Sequence, residues 1–161
     1  MSEEKVAYAL DLYTLLYSTA VRVLKEKFGN KAIFSLKEEL FERGKELAKQ
    51  EIERLGIKEM NARGYHRIVE EALKAFNIKY EVVELSDERY ILRIYDCPHG
   101  IRFKRLNAPP EVCDALLELD RAIVQTLNPN LEFKLTKHIL RGDEFCEYQV
   151  MPRKGTSKRS E

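Results

Sequence analysis

Up to Phe76 the apolar residues recur with the spacing of a helix; immediately after it they recur at every second position. That switch of period restricts the chain to folds in which a helical half meets a half built of strands. In the first half Val6, Leu10, Tyr13, Leu16, Tyr17, Ala20, Val21 and Leu24 follow the helical period, and Gly29-Asn30 closes the run. Ser35 with Glu38 three residues on has the form of a capping box and predicts a second helix through Leu55. Gly44 inside it costs up to about 1 kcal/mol relative to alanine, which points to close packing at that position. Asn61 is placed to cap a third helix that ends near Phe76.

Beyond Phe76, the stretches IKYEVVEL and RYILRIYD flank Ser86-Asp87-Glu88 and predict a hairpin. Pro98 and Gly100 break the second strand. Asn107-Ala108-Pro109-Pro110 introduces a fourth helix, EVCDALLELDRAIVQTL, which Asn128-Pro129-Asn130 ends. LEFKLTKHIL and EFCEYQV then pair around Arg141-Gly142-Asp143, where Gly142 is expected to take a positive φ and Asp143 to accept turn amides. The expected fold is therefore α+β: three N-terminal helices packed with an antiparallel sheet of two hairpins joined by a fourth helix. A chain of 161 residues suits one domain with a real core, expected over residues 5–150, followed by a short basic tail, 151–161, expected to be disordered.

With 44% apolar residues, 34% charged residues and a net charge of +1, nothing draws the whole molecule to nucleic acid. The second helix balances its Lys and Arg with Glu, so a basic recognition helix is missing as well. No stretch approaches the roughly 18 apolar residues that span a bilayer. The start, MSEEKVAYALDLY, is acidic before it is apolar, the reverse of a secretory leader. Three cysteines cannot all pair within the chain, and the expectation is a cytoplasmic protein with reduced thiols. Short strands leave exposed edges and a small core, so a homodimer is expected.

The residues able to carry chemistry gather in the second half: Cys97, Cys113, Cys146, His99 and His138. Cys97 follows a strand, Cys113 lies in the first turn of the fourth helix, and His138 and Cys146 face each other across a tight turn. Cys97, Cys113, His138 and Cys146 can bind Zn²⁺ tetrahedrally, with metal–sulfur distances near about 2.3 Å. The short CxxC pairs of a zinc finger are missing, and each cysteine can equally be a small buried hydrophobe. His99 can replace Cys97 in that sphere, and Asp96 can orient either. The same residues permit a different chemistry: Cys113 or Cys97 as nucleophile, His138 as base, and Asp114 or Asp120 orienting charge. Spacing does not choose between them. Tyr8, Tyr13, Tyr17, Tyr65 and Phe41 either pack in the core with hydroxyls at its edge or line a pocket for a small apolar or planar molecule.

The segment CPHG…PPEVCDALLELDRAIVQTLNPNLEFKLTKHILRGDEFCEYQV resembles two families over roughly the last third of the chain. One is the 4-vinyl-reductase type of small-ligand-binding domain, marked by a Cys at a helix start and a strand–turn–strand ending in Cys. The other is the 2-amino-thiazoline-4-carboxylate-hydrolase-like family, which shares Asp114 after Cys113, Asn128-Pro129 after the helix and the Gly142-Asp143…Cys146 ending. The first resemblance implies Cys113 and Cys146 as metal ligands and places His138 where that pattern has a middle Cys. It has Leu135 where the pattern has a Glu ligand, which leaves Cys97 to complete the set. The implied function is a small-molecule sensor or carrier domain with a structural zinc, since four protein ligands leave no water to activate. The alternative is a cysteine-dependent hydrolase acting on a cyclic C–N bond.

Overall fold

A single helix of 53 residues, α1 (Glu3–Leu55), occupies the first third of the chain in the computed structural model, which describes residues 3–154. Two helices separated near Gly29 were expected there, the second capped by Ser35. Instead the break is one residue wide: Gly29, at φ 72° and ψ −167°, kinks the helix without interrupting it by a loop. A Cβ at Gly29 would meet nothing within 4 Å, so the left-handed φ itself, and not crowding, is what calls for glycine. Ser35 and Glu38 lie inside the helix, where the backbone already supplies the bonds a capping box would make.

Helix α2 (Ala62–Ala75) starts as the sequence indicates, with Asn61 Oδ1 accepting from the amides of Arg63 and Gly64 at 2.9 and 3.3 Å. Strands β1 (Tyr80–Leu85) and β2 (Tyr90–Ile94) form the first hairpin, closed by the Ser86 amide on the Arg89 carbonyl at 2.8 Å. The chain then makes a helix that the sequence reading did not include, α3 (Pro98–Arg105). Pro98 ends a strand and is equally suited to the first turn of a helix, where its missing N–H is no loss. Cys97 Sγ takes the capping role, accepting from the Gly100 amide at 3.4 Å.

The fourth helix expected from the sequence is divided at Leu117 into α4 (Glu111–Leu116) and α5 (Glu118–Leu127). Strands β3 (Leu131–Lys137) and β4 (Cys146–Pro152) follow, joined through a 3-10 turn (Ile139–Arg141). Gly142 has φ 99°, and Asp143 Oδ2 accepts from the His138 amide at 2.7 Å, as the turn chemistry requires. His138 thus stands just beyond β3, not within it. Strand β4 includes Met151 and Pro152, which the sequence reading gave to the tail; residues 155–161 lie outside the described residues.

The fold class is α+β, with a four-stranded antiparallel sheet in the order β1-β2-β4-β3. Three separate N-terminal helices and one connecting helix were expected; the described residues form two N-terminal helices, one of them kinked, and three short ones between the hairpins. Tyr90, Leu92 and Ile94 point inward from β2 into a core shared with Tyr65, Ile68, Leu73, Leu127 and Phe133. A smaller core of Val21, Ile33, Phe103, Val112 and Cys113 joins α1 to α3 and α4. Gly44 lets α1 approach α5 closely: a Cβ there would lie 2.7 Å from Ala122 Cβ and 3.0 Å from Leu119 Cα. Among the described residues, no helix is long and apolar enough to cross a membrane.

Candidate functional site: an apolar pocket backed by thiols and imidazoles

Between the second segment of α1, helices α2 and α5, and the end of β2 lies a pocket of about 540 Å³. That volume falls in the range typical of small-molecule sites. Leu47, Ile68, Leu73, Ile94 and Ile123 supply apolar wall, while Glu51, Arg54 and Glu71 line it with charge. Asp120, Tyr148, Cys97 and His99 also line it.

Asp120 sits in the first turn of α5, and its Oδ1 accepts from the Tyr65 hydroxyl at 2.8 Å. Burial pushes its carboxyl up to about 6, against the pull of the Tyr65 hydrogen bond and the Arg121 charge. Among the described residues it forms no ion pair. Tyr148, on β4, is raised well above the ordinary phenol range, chiefly by burial. Burial likewise pushes the Cys97 thiol up, and the amides of Gly100 and His99 offset this only in part.

A smaller cavity of about 40 Å³ adjoins this pocket and shares Cys97, His99 and Tyr148 with it. Cys113, His138 and Cys146 complete its chemically active wall. All three thiols are buried and free. Burial raises Cys146 to about 11 and Cys113 still further, and it lowers both His99 and His138. At neutral pH this is a cluster of uncharged thiols and imidazoles. Nδ1 of His99 and Nδ1 of His138 are buried without a hydrogen-bond partner, an arrangement that costs about 1–3 kcal/mol for each atom. The His99 ring packs edge-on against Tyr13 and Phe76, at 5.8 and 6.1 Å between centroids.

The four residues expected to hold zinc, Cys97, Cys113, His138 and Cys146, therefore border one cavity together with His99. Among the described residues no group of three or more His, Cys, Asp or Glu is arranged to hold a metal ion. The donors suit zinc by chemical type, in three thiols and two imidazole nitrogens with no other partner, although their present spacing forms no coordination shell.

The five aromatic residues expected around a ligand are dispersed, and none of them lines the 540 Å³ pocket. Tyr8 is 70% exposed. Tyr13 stacks on Tyr17 at 5.7 Å, and the Tyr17 hydroxyl donates to the Val112 carbonyl at 3.1 Å. Phe41 lies beneath Lys45 Nζ and lines a separate groove with Phe34 and Glu118. Tyr65 is buried in the core and reaches the site only through its bond to Asp120. The reason is the kink in α1: Tyr8, Tyr13 and Tyr17 precede Gly29, whereas the segment that lines the pocket follows it. Of the two carboxylates considered for catalysis, Asp114 is engaged by Arg141 at 2.6 Å and Asp120 lines the pocket. Tyr148 was not foreseen. Asp120 had a legible signal as a pocket residue: a carboxylate between Leu116 and Ile123 on the apolar face of a helix.

The model of the L-2-amino-thiazoline-4-carboxylic acid hydrolase family matches residues 7–150. The chain belongs to that family. Membership of the L-2-amino-thiazoline-4-carboxylic acid hydrolase family thus covers the helical half as well, and the resemblance is not confined to the last third; the 4-vinyl-reductase resemblance gains no support from it. No curated protein matches the chain. Among solved structures, a trafficking protein particle complex subunit 3 from Naegleria fowleri, covalently bound to palmitic acid, superposes with a TM-score of 0.65 at 16% identity, covering 91% of this chain and 96% of that one. The phenol-responsive sensory domain of the transcription activator PoxR, with phenol, superposes with a TM-score of 0.61 at 13% identity, covering 89% of this chain and 74% of that one. At these identities the likeness is one of fold.

Proposed function

We propose that this member of the hydrolase family is a small-molecule-binding domain of sensor or carrier type, whose ligand is small and apolar or planar. The observation that carries the reading is the 540 Å³ pocket between helices and sheet, with an apolar wall and the polar groups of Asp120, Tyr148, Cys97, His99 and the charged Glu51, Arg54 and Glu71 around it. The phenol and the palmitic acid of the two similarly folded proteins support an apolar guest. A direct test is calorimetric titration with phenol, benzyl alcohol and benzamidine, against wild type and Ala72→Trp, which places an indole at the exposed side of the pocket lining. Saturable binding of one molecule per chain, lost in Ala72→Trp, is expected; no binding of any of the three overturns the reading.

A structural zinc held by Cys97, Cys113, His138 and Cys146 belongs to the same proposal. Its support is the donor set around one cavity and the two imidazole nitrogens left without partners. Such an ion would tie the start of α3, helix α4 and strand β4 together, and it would supply cross-linking rather than an activated water. Three free thiols support a reducing, cytoplasmic setting. The first segment of α1 exposes Tyr8, Leu12, Leu15 and Leu16, which supports the expected homodimer.

Hydrolysis of a cyclic C–N bond is the second reading, favoured by the family and by the position of Cys97. Cys97 lines both the large pocket and the inner cavity, whereas Cys113 lines only the latter. The thiol is protonated at neutral pH, so attack requires a base, and His99 lines the same pocket. Consumption of 2-amino-thiazoline-4-carboxylate, followed chromatographically and abolished in Cys97→Ala, would establish this activity.

A further inference from the structure

The 540 Å³ pocket presents a carboxylate, Asp120, that forms no ion pair among the described residues, the Arg121 charge acting on it without pairing. The other fixed charges lining it are Glu51, Arg54 and Glu71, and of these Arg54 and Glu51 are paired with each other at 2.5 Å. Asp120 has only the Tyr65 hydroxyl as a side-chain hydrogen-bond partner, on Oδ1, among the described residues. That bond orients the carboxylate without cancelling its charge. Asp120 is nevertheless part-accessible, because it borders the pocket. The Tyr148 hydroxyl, lining the same pocket, has no hydrogen-bond partner among the described residues. A charged acceptor against apolar wall is costly to keep and binds a charged donor more strongly than it would in water.

We propose that Asp120 is the recognition group for a cationic nitrogen, so that the pocket selects a compact, largely apolar molecule carrying one protonated amine or amidine. Its apolar body lies against Ile68, Leu73, Ile94 and Ile123, and the Tyr148 hydroxyl offers a second polar contact. This rests on the reading of the pocket as a ligand site, and it adds the charge of the ligand and the residue that reads it. A purely structural Asp120, present only to accept from Tyr65, would be replaced by asparagine without consequence for ligand choice.

The test compares benzamidine with its neutral near-isostere benzamide by calorimetry at about pH 7.5, where Asp120 is ionised. Benzamidine should bind roughly ten-fold or more tightly than benzamide, the difference a charge-assisted bond supplies. Asp120→Asn should abolish that preference, and Tyr65→Phe should retain it. In wild type the preference should shrink at about pH 5, where Asp120 takes up a proton and benzamidine stays charged. The groups that share the pocket with that carboxyl are Tyr148 on β4, Cys97 before α3, His99 on α3, Glu71 on α2 and the Glu51–Arg54 pair on α1, with Tyr65 and Arg121 beside it. His99 is the one whose ordinary titration falls between those two pH values; burial lowers it, and benzamidine affinity of Asp120→Asn at both pH values reads its contribution separately. Equal binding of the two probes to wild type, or a preference that survives in Asp120→Asn, overturns ionic recognition and leaves the ligand pocket standing. Failure of both probes to bind overturns it, and the pocket reading falls with it only if phenol and benzyl alcohol also fail to bind. Equal binding of the two probes to wild type overturns the proposal even if a variant fails to fold.

Discussion

The Tyr65 hydroxyl donates to Asp120 Oδ1 over 2.8 Å, joining α2 to α5 at the wall of the pocket. The hydrogen bond does not offset burial, and the carboxyl of Asp120 rises from 3.8 to about 6. Because the folded value lies above the unfolded one, the folded state holds its proton more tightly. Its contribution is fully present below the unfolded value and is lost as pH rises through about 6. Asp120→Asn should therefore stabilise the ligand-free protein at about pH 8, by roughly 1–3 kcal/mol, with little difference below about pH 4. Urea denaturation at both pH values checks this. A variant no more stable than wild type at the higher pH would show that the carboxylate is well solvated.

Gly44 makes a second, independent point about the contact of α1 with α5. Alanine there gains about 1 kcal/mol of helix propensity but meets Ala122 Cβ at 2.7 Å and the Leu119 backbone at 3.0 Å. Backbone cannot yield as a flexible side chain does, so the clash should dominate and Gly44→Ala should destabilise by roughly 1–3 kcal/mol. A denaturation midpoint at or above that of wild type would mean that the two helices separate freely.

Metal content is decided by elemental analysis of protein purified without added metal. About one zinc per chain is expected in wild type and none in Cys113→Ala or Cys146→Ser, with a chelator lowering the melting temperature of wild type alone. Metal-free wild type, with Cys97 reactive toward a thiol reagent, would put the catalytic-cysteine reading ahead.

Self-association is read by sedimentation. Leu16 is 62% exposed on the first segment of α1, beside Leu12 and Leu15, and Leu16→Glu should shift a dimer toward the 18.9 kDa species without lowering the melting temperature by more than about 3 °C. Only the 18.9 kDa species at micromolar wild-type concentration would remove the homodimer.

The sequence by itself determined the features whose physics is local. The change of period after Phe76 separates helices from strands, Asn61 caps α2, the Ser86–Glu88 turn closes the first hairpin, and Gly142 takes its positive φ beside an Asp143 that accepts the His138 amide. Each of these depends on side chains and amides a few residues apart. Where local signals have two outcomes, the fold chose. Pro98 and Gly100 break a strand and also open α3, and Gly29 kinks α1 where a full stop was expected, leaving the Ser35 capping box unused. The residue types of the thiol–imidazole cluster were legible, but their meeting depends on β4 inserting between β2 and β3, which pairs Cys146 with Ile94 and carries it toward Cys97. The pocket was not legible from the tyrosines. Its walls come from α1, α2, β2, α5 and β4, and which faces of such distant segments meet is decided by how they pack, through contacts that no local window of sequence contains.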